Sequence, residues 1–190
     1  HTTCDHYLET GEPCIVSAPA YAKVTVAGEA PTPPRQPQDV STVLNATMAQ
    51  LAATVTAPSF GTNAGEWTVF SLARGNHFTK DNAYFTDYYN RIVTTVNEIA
   101  ADVHMNGALH KNKSTENSRL IVALSAIGKD ATSVGNWNLV EAYSANGFNW
   151  IKKQGINGPI WALIALDTAS YQTTDPTIRQ QCLDHILEKQ

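Results

Sequence analysis

The apolar residues between positions 38 and 190 recur with a helical period, which predicts an all-α domain. One-faced helical stripes lie at 40–55 and 81–103, a broken one lies at 139–151, and a last one opens after Asp175-Pro176. Between them stand segments that are apolar on almost every side. Such segments are typical of helices buried among other helices.

The helix ends carry local signals. Asp39 precedes the first stripe as an N-cap, and Gly128 ends a helix that begins at Ser114 or Thr115. A further helix is predicted to begin at Asn157, with Pro159 in its first turn.

The all-apolar helices form a repeat. The segments 66–73, 119–126 and 159–166 resemble one another and recur about every 40 to 54 residues. Alternation of an all-apolar helix with a one-faced helix at this period predicts an inner and an outer layer of helices, made of about four hairpins.

The stretch before the helices differs from them in composition and in the period of its apolar residues. Residues 31–37 hold four prolines, which favours an extended linker. Residues 1–30 are predicted to be extended or β, because residues 21–26 alternate and are β-branched, as in the last strand of a preceding β-sandwich domain. The predicted domains are therefore 1–30, the linker 31–37, and the helical domain 38–190.

Composition narrows the range of partners. A net charge of −4 without a block of like charges argues against a nucleic-acid partner, and no apolar run is long enough for a transmembrane segment. Of the three cysteines, Cys4 and Cys14 could close a small loop, and Cys182 fits a buried apolar position. Cys182, Asp184 and His185 point in different directions on a helix, so we expect no metal site there. His77, His104 and His110 lack metal-ligand spacing.

Residues 117–128 and 155–167 carry a family resemblance, in the runs Asn-Ser-Arg-Leu-Ile-Val-Ala-Leu-Ser-Ala-Ile-Gly and Gly-Ile-Asn-Gly-Pro-Ile-Trp-Ala-Leu-Ile-Ala-Leu-Asp. They resemble bacterial exported proteins with prenyltransferase and squalene-oxidase-type repeats. The resemblance implies the α/α toroid of terpenoid cyclases, protein prenyltransferase β subunits, complement thioester domains and cobalamin carriers. A complete toroid has about six hairpins, so a partial toroid is expected.

The catalytic signatures of that superfamily do not occur in the sequence. It contains no Asp-x-Asp-Asp acid box, no carboxylate cluster for magnesium diphosphate and no Cys-Gly-Glu-Gln thioester run. We therefore expect a protein that is not an enzyme and has no metal. An isoprenoid cyclase or prenyltransferase using Glu66 or Asp167 as an unfamiliar acid is the alternative.

In an α/α toroid the N-terminal ends of the inner helices surround one mouth, and here those ends carry aromatic and hydrogen-bonding residues. We predict a ligand site at this rim, formed by Glu66, Trp67, Asn117, Ser118, Arg119, Asn157 and Trp161. The alternative is structural, with the tryptophans in the core and Asn117 and Asn157 as helix caps.

The rim is expected to bind either a small ligand, such as a corrinoid, a glycan or a peptide, or a protein partner. The resemblance places the protein in the secreted or cell-surface fraction of a bacterium, with its signal or anchor outside this stretch. A structural spacer or adhesin module is a further alternative, and it predicts a filled centre.

Overall fold

The computed structural model describes residues 39–62, 64–102 and 105–189, which are mainly helical and contain no β-strand. Its helices are α1 Val40–Thr54, α2 Glu66–Arg74, α3 Ala83–Ala100, α4 Ser114–Ala126, α5 Ala142–Ile151, α6 Asn157–Thr168 and α7 Ile178–Leu187. A 3₁₀ turn, Lys152–Gln154, follows α5. The all-α prediction is confirmed for this part of the chain.

Several sequence predictions fall outside the described residues. These are the extended segment at 1–30, the linker at 31–37, the pair Cys4 and Cys14, and His104. No described helix combines the length and the apolar character needed to cross a bilayer.

Local signals set the helix starts. The Asp39 carboxylate accepts a hydrogen bond from the Ser41 backbone N–H at 3.1 Å, as predicted for an N-cap. α3 begins at Ala83, two residues later than expected, because Asn82 is its cap and accepts from the Tyr84 N–H at 2.9 Å. α6 begins at Asn157 with Pro159 in its first turn, as predicted.

α4 is the central helix. It packs against α2 on one side and α6 on the other, while α5 packs against α4 and α7 against α6. Because neighbours surround it, the run from Leu120 to Leu124 is almost entirely buried. The prediction of a buried helix with apolar residues all round is confirmed for α4.

The helices α2, α4 and α6 end in the same way. In each, a backbone N–H beyond the helix donates to the carbonyl of a leucine five residues earlier, closing a Schellman motif. The bonds join His77 to Leu72 (3.0 Å), Lys129 to Leu124 (2.9 Å) and Tyr171 to Leu166 (2.8 Å). The residue before each donor has a positive φ: Asn76 (53°), Gly128 (76°) and Ser170 (56°).

These three leucines give the structural register of the repeat. They are 52 and 42 residues apart, and aligning them superimposes Trp67, Arg119 and Trp161 as equivalent positions. The segments 66–73, 119–126 and 159–166 are out of this register by one or two residues, because similar composition does not locate the helix ends.

Glycine permits the closest approach between helices. A Cβ on Gly158, at the start of α6, would lie 1.8 Å from the Ile151 carbonyl oxygen and 3.2 Å from the Ser114 hydroxyl. Gly158 therefore lets α6 begin directly against the end of α5 and the start of α4.

α1 departs from the simple amphipathic expectation. Val40 is 78% exposed and Leu44 is 48% exposed, whereas Met48 is buried. Met48 packs where Gly75 leaves room, since a Cβ on Gly75 would lie 2.0 Å from the Met48 sulfur. The stripe is present in α1, but its N-terminal half does not reach the described core.

Candidate ligand-binding site

The three repeat helices lie side by side and form a concave surface. The Trp67 ring near the start of α2 contacts the Trp161 ring near the start of α6, with their centroids 5.4 Å apart in an edge-to-face arrangement. α4 packs between these two helices, so the contact is made across it. The helices run in the same direction, because their C-terminal halves also meet in one groove.

That groove has a volume of about 600 Å³. α2 contributes Phe70, Ala73 and Arg74, α4 contributes Val122, Ser125 and Ala126, α6 contributes Ile164 and Thr168, and the loop after α2 contributes Asn76 and Lys80. Its size is within the range of small-molecule sites.

The residues at the floor of the groove occupy equivalent positions in the three repeat helices. Phe70, Val122 and Ile164 each stand two residues before the leucine that closes their helix. Ile164 is 43% exposed although α6 is apolar on all sides, so the expectation that every such helix is buried is wrong for this face. We call Trp67, Phe70, Val122, Trp161 and Ile164 the concave face.

The two ends of the concave face differ in polarity. The tryptophan pair lies one helical turn before Phe70 and Ile164, at the N-terminal end, where Trp67 is 40% exposed. At the other end the groove is lined by two exposed cationic side chains, Arg74 and Lys80.

Two of the predicted site residues have internal hydrogen-bond partners instead. The Asn117 amide is fully buried, accepts from the Leu109 N–H at 2.8 Å and donates to the Leu139 carbonyl at 3.2 Å. Ser118 is equally buried, and its hydroxyl lies 2.7 Å from that of Tyr143. The structure therefore places both between α4 and its neighbours rather than on the concave face.

Glu66 is also turned inward. It is 1% exposed, and one carboxylate oxygen accepts from the Gly61 N–H at 2.9 Å, while the other has no hydrogen-bond partner within the described residues. Burial raises the pKa of Glu66, whereas the Gly61 bond and the charge of Arg119 act in the opposite direction. Glu66 does not line the groove.

Arg119 occupies the position in α4 that corresponds to the two tryptophans. It forms a salt bridge with Glu116 one turn earlier. Its Nε and the hydroxyl of buried Tyr88 are without a hydrogen-bond partner among the described residues. The charges of Glu66 and Arg119 both affect Tyr88, whose pKa is raised mainly by burial. A polar cluster therefore lies behind the N-terminal end of the concave face.

The remaining predicted residue, Asn157, is exposed and is the first residue of α6 rather than its cap. Asn117 likewise stands inside α4 and caps nothing. Neither asparagine fulfils the capping alternative, because the caps of these two helices are Lys113 and Ile156.

The groove residues Phe70, Arg74, Lys80, Val122 and Ile164 were not among the predicted site residues. A signal for the floor existed in the sequence: Phe70 and Ile164 follow Trp67 and Trp161 at the same three-residue step. Lys80 comes from a loop, and its placement depends on tertiary packing.

Within the described residues, no group of three His, Cys, Asp or Glu side chains is arranged to hold a metal ion. Cys182 is buried in the core, as predicted, and burial raises its pKa to about 11. No protein family, curated protein or solved structure matches this chain.

Proposed function

We propose that residues 38–190 are a partial α/α toroid that binds a ligand on its concave face and performs no catalysis. The observation that carries this proposal is the open groove of about 600 Å³ between three equivalent helices. In a ring of such helices the same face would line the central cavity. Here α2, α4 and α6 present it with Trp67 and Trp161 at one end.

The surface chemistry is that of a binding site. Trp67 is exposed and Trp161 partly exposed, and aromatic side chains supply a large contact area at low entropic cost. The candidate ligands are a corrinoid, a glycan or a peptide. From the family resemblance we further propose that the protein is secreted or displayed on the cell surface of a bacterium.

Calorimetry tests this function directly. Wild-type protein is titrated with a corrinoid, cell-wall glycans and cell-wall peptides, alongside Trp161→Ala and the control Trp137→Ala. We expect saturable binding of at least one class, weakened in Trp161→Ala because its ring lies one helical turn from Ile164 of the groove. Binding should be unchanged in Trp137→Ala, because Trp137 lies in the loop after α4 and is not part of the concave face. Absence of saturable binding, or equal weakening by both substitutions, would count against the site.

A second function is favoured by one observation, the buried Glu66 with its raised pKa and unpartnered oxygen. A carboxyl group whose pKa is raised by burial holds its proton more readily, and such a group can protonate an alkene in isoprenoid cyclisation. Its position outside the groove lining speaks against this role. Turnover of squalene or prenyl diphosphates that disappears in Glu66→Gln would establish it.

The structural spacer or adhesin alternative predicts a filled centre. The open groove favours ligand binding over that alternative. Apolar surface that is left unfilled between helices lacks packing contacts, and a spacer module gains no stability from it.

A further inference from the structure

The residues that line the groove also indicate the chemical character of the ligand, an inference that rests on the proposed function. We infer that the ligand is an apolar molecule bearing one anionic group, such as a carboxylate, sulfonate or phosphate, and that this group lies between Arg74 and Lys80. The apolar part then lies along Phe70, Val122 and Ile164 toward the tryptophan pair.

The charge of the groove supports this orientation. Arg74 and Lys80 both line it, neither has a hydrogen bond or an ion pair within the described residues, and the lining contains no acidic residue. The acid on the last turn of α6, Asp167, is held by Arg179 at 2.8 Å. Two positive charges therefore remain uncompensated at one end of an otherwise neutral surface.

The helix ends do not cancel these charges. C-terminal carbonyls carry partial negative charge, which would repel an anion. In α2, α4 and α6, however, the terminal carbonyls are closed by the bonds from His77, Lys129 and Tyr171. The unit charges of Arg74 and Lys80 therefore exceed the residual partial charges of the backbone.

The fold also positions one of the cations. The aliphatic stem of Lys80 lies against Gly128, since a Cβ there would be 3.2 Å from the Lys80 Cδ. Gly128 has a φ of 76° and forms the closed end of α4. The same glycine therefore ends the central helix and gives the Lys80 stem room beside the groove.

The contrast with Arg119 supports the assignment of the anionic end. Arg119 lies at the N-terminal end of the same repeat, and its charge is compensated by Glu116. The concave face thus runs from an aromatic, charge-balanced end to an uncompensated cationic end, which matches a ligand that is apolar at one end and anionic at the other.

A matched pair of fluorescent probes tests this inference. 8-Anilinonaphthalene-1-sulfonate carries a sulfonate on the same ring system as neutral N-phenyl-1-naphthylamine. Their dissociation constants are measured for the wild-type protein, the double variant Arg74→Gln/Lys80→Gln, and the control Lys111→Gln, which is exposed outside the groove. Circular dichroism and urea unfolding check that each variant is folded.

We expect the sulfonate probe to bind the wild-type protein about tenfold more tightly than the neutral probe. The double variant should bind the sulfonate probe about twentyfold more weakly, leave the neutral probe unchanged and lose the salt dependence of binding. Lys111→Gln should behave as the wild type does.

The variant Ile164→Asp distinguishes a failure of the anionic assignment from a failure of the proposed function. Equal affinities for the two probes in the wild type, with both weakened by Ile164→Asp, would overturn the anionic assignment and leave the groove as a binding site. Binding that ignores Ile164→Asp, or no binding of either probe, would contradict the proposed function as well.

Discussion

Trp67 and Trp161 occupy the same position in two helices of the repeat, five residues before the leucine that closes each helix, and their rings meet edge to face at 5.4 Å. The contact reaches across α4. It joins the starts of α2 and α6 at the N-terminal end of the concave face. A pair of repeat-equivalent residues therefore bounds the proposed site at that end.

Trp67→Ala should weaken binding more than it weakens folding. The ring is 40% exposed, so its removal costs little core packing, while the edge-to-face contact with Trp161 is worth about 1 kcal/mol. We expect ligand affinity to fall about fivefold, measured by calorimetry. Leu187→Ala, an exposed apolar residue of α7, should leave affinity unchanged; a similar loss there would show a general surface effect.

Gly158→Ala should strongly destabilise the domain. The new Cβ would meet the Ile151 carbonyl at 1.8 Å, which is backbone and cannot move aside without separating α5 from α6. We expect the free energy of unfolding in urea to drop by about 3 kcal/mol.

Gly107→Ala is the matched control for Gly158→Ala. Its Cβ would have no neighbour within 4 Å, so only its φ of 76° opposes it, at about 1 kcal/mol. Equal effects of the two substitutions would mean that α6 does not begin against α5 as closely as described.

Asn117→Ala should destabilise the fold, because it leaves the buried Leu109 N–H and Leu139 carbonyl without their partner. We expect a loss of about 3 kcal/mol in the free energy of unfolding. Asn157→Ala, on an exposed first helical position, should change it by less than about 0.5 kcal/mol. The reverse order would contradict the internal hydrogen-bonding role of Asn117.

Glu66→Gln should change how stability depends on pH. The pKa of Glu66 is raised by burial above its ordinary value of 4.5, so the folded state binds the proton more tightly than the unfolded state. The wild-type protein therefore loses stability from this group as pH rises through 4.5 and through the higher folded pKa. Urea unfolding at pH 3 and pH 8 measures this dependence.

The two proteins should have similar stability at pH 3, and Glu66→Gln should be the more stable at pH 8. Asp175→Asn supplies a control of opposite sign, because hydrogen bonds from Thr177 lower the pKa of Asp175. There the wild type should hold the advantage at pH 8 and lose it as pH falls below the ordinary value of 3.8. A Glu66→Gln difference that is the same at both pH values would contradict a raised pKa of the buried Glu66 carboxyl.

The helix ends were predictable because their causes are local. Asp39, Gly128 and Pro159 each act within one turn, through a side-chain cap, a positive φ or a fixed φ. Burial of α4 was predictable because the lack of a polar face is typical of a helix packed among other helices.

The concave face could not be identified from periodicity. α6 is apolar on every side, so its sequence does not reveal that Ile164 is exposed while Ala165 is buried. Only the position of α4 beside it decides that. The prediction for Asn117 was wrong for a related reason. A polar residue near a helix start suggests a solvent-facing rim, but its partners, Leu109 and Leu139, lie in the loops before and after α4 and cover it.

The indole N–H signals of the four tryptophans test whether a ligand binds on the concave face. Trp67 and Trp161 stand on the concave face, whereas Trp150 donates its indole N–H to the His110 carbonyl at 3.1 Å and Trp137 lies in the loop after α4. In a ¹⁵N-correlated NMR titration with 8-anilinonaphthalene-1-sulfonate, we expect saturable shifts of the Trp67 and Trp161 signals, while the Trp137 and Trp150 signals do not move. Shifts confined to Trp137 or Trp150, or no saturable shift of any indole signal, would contradict it.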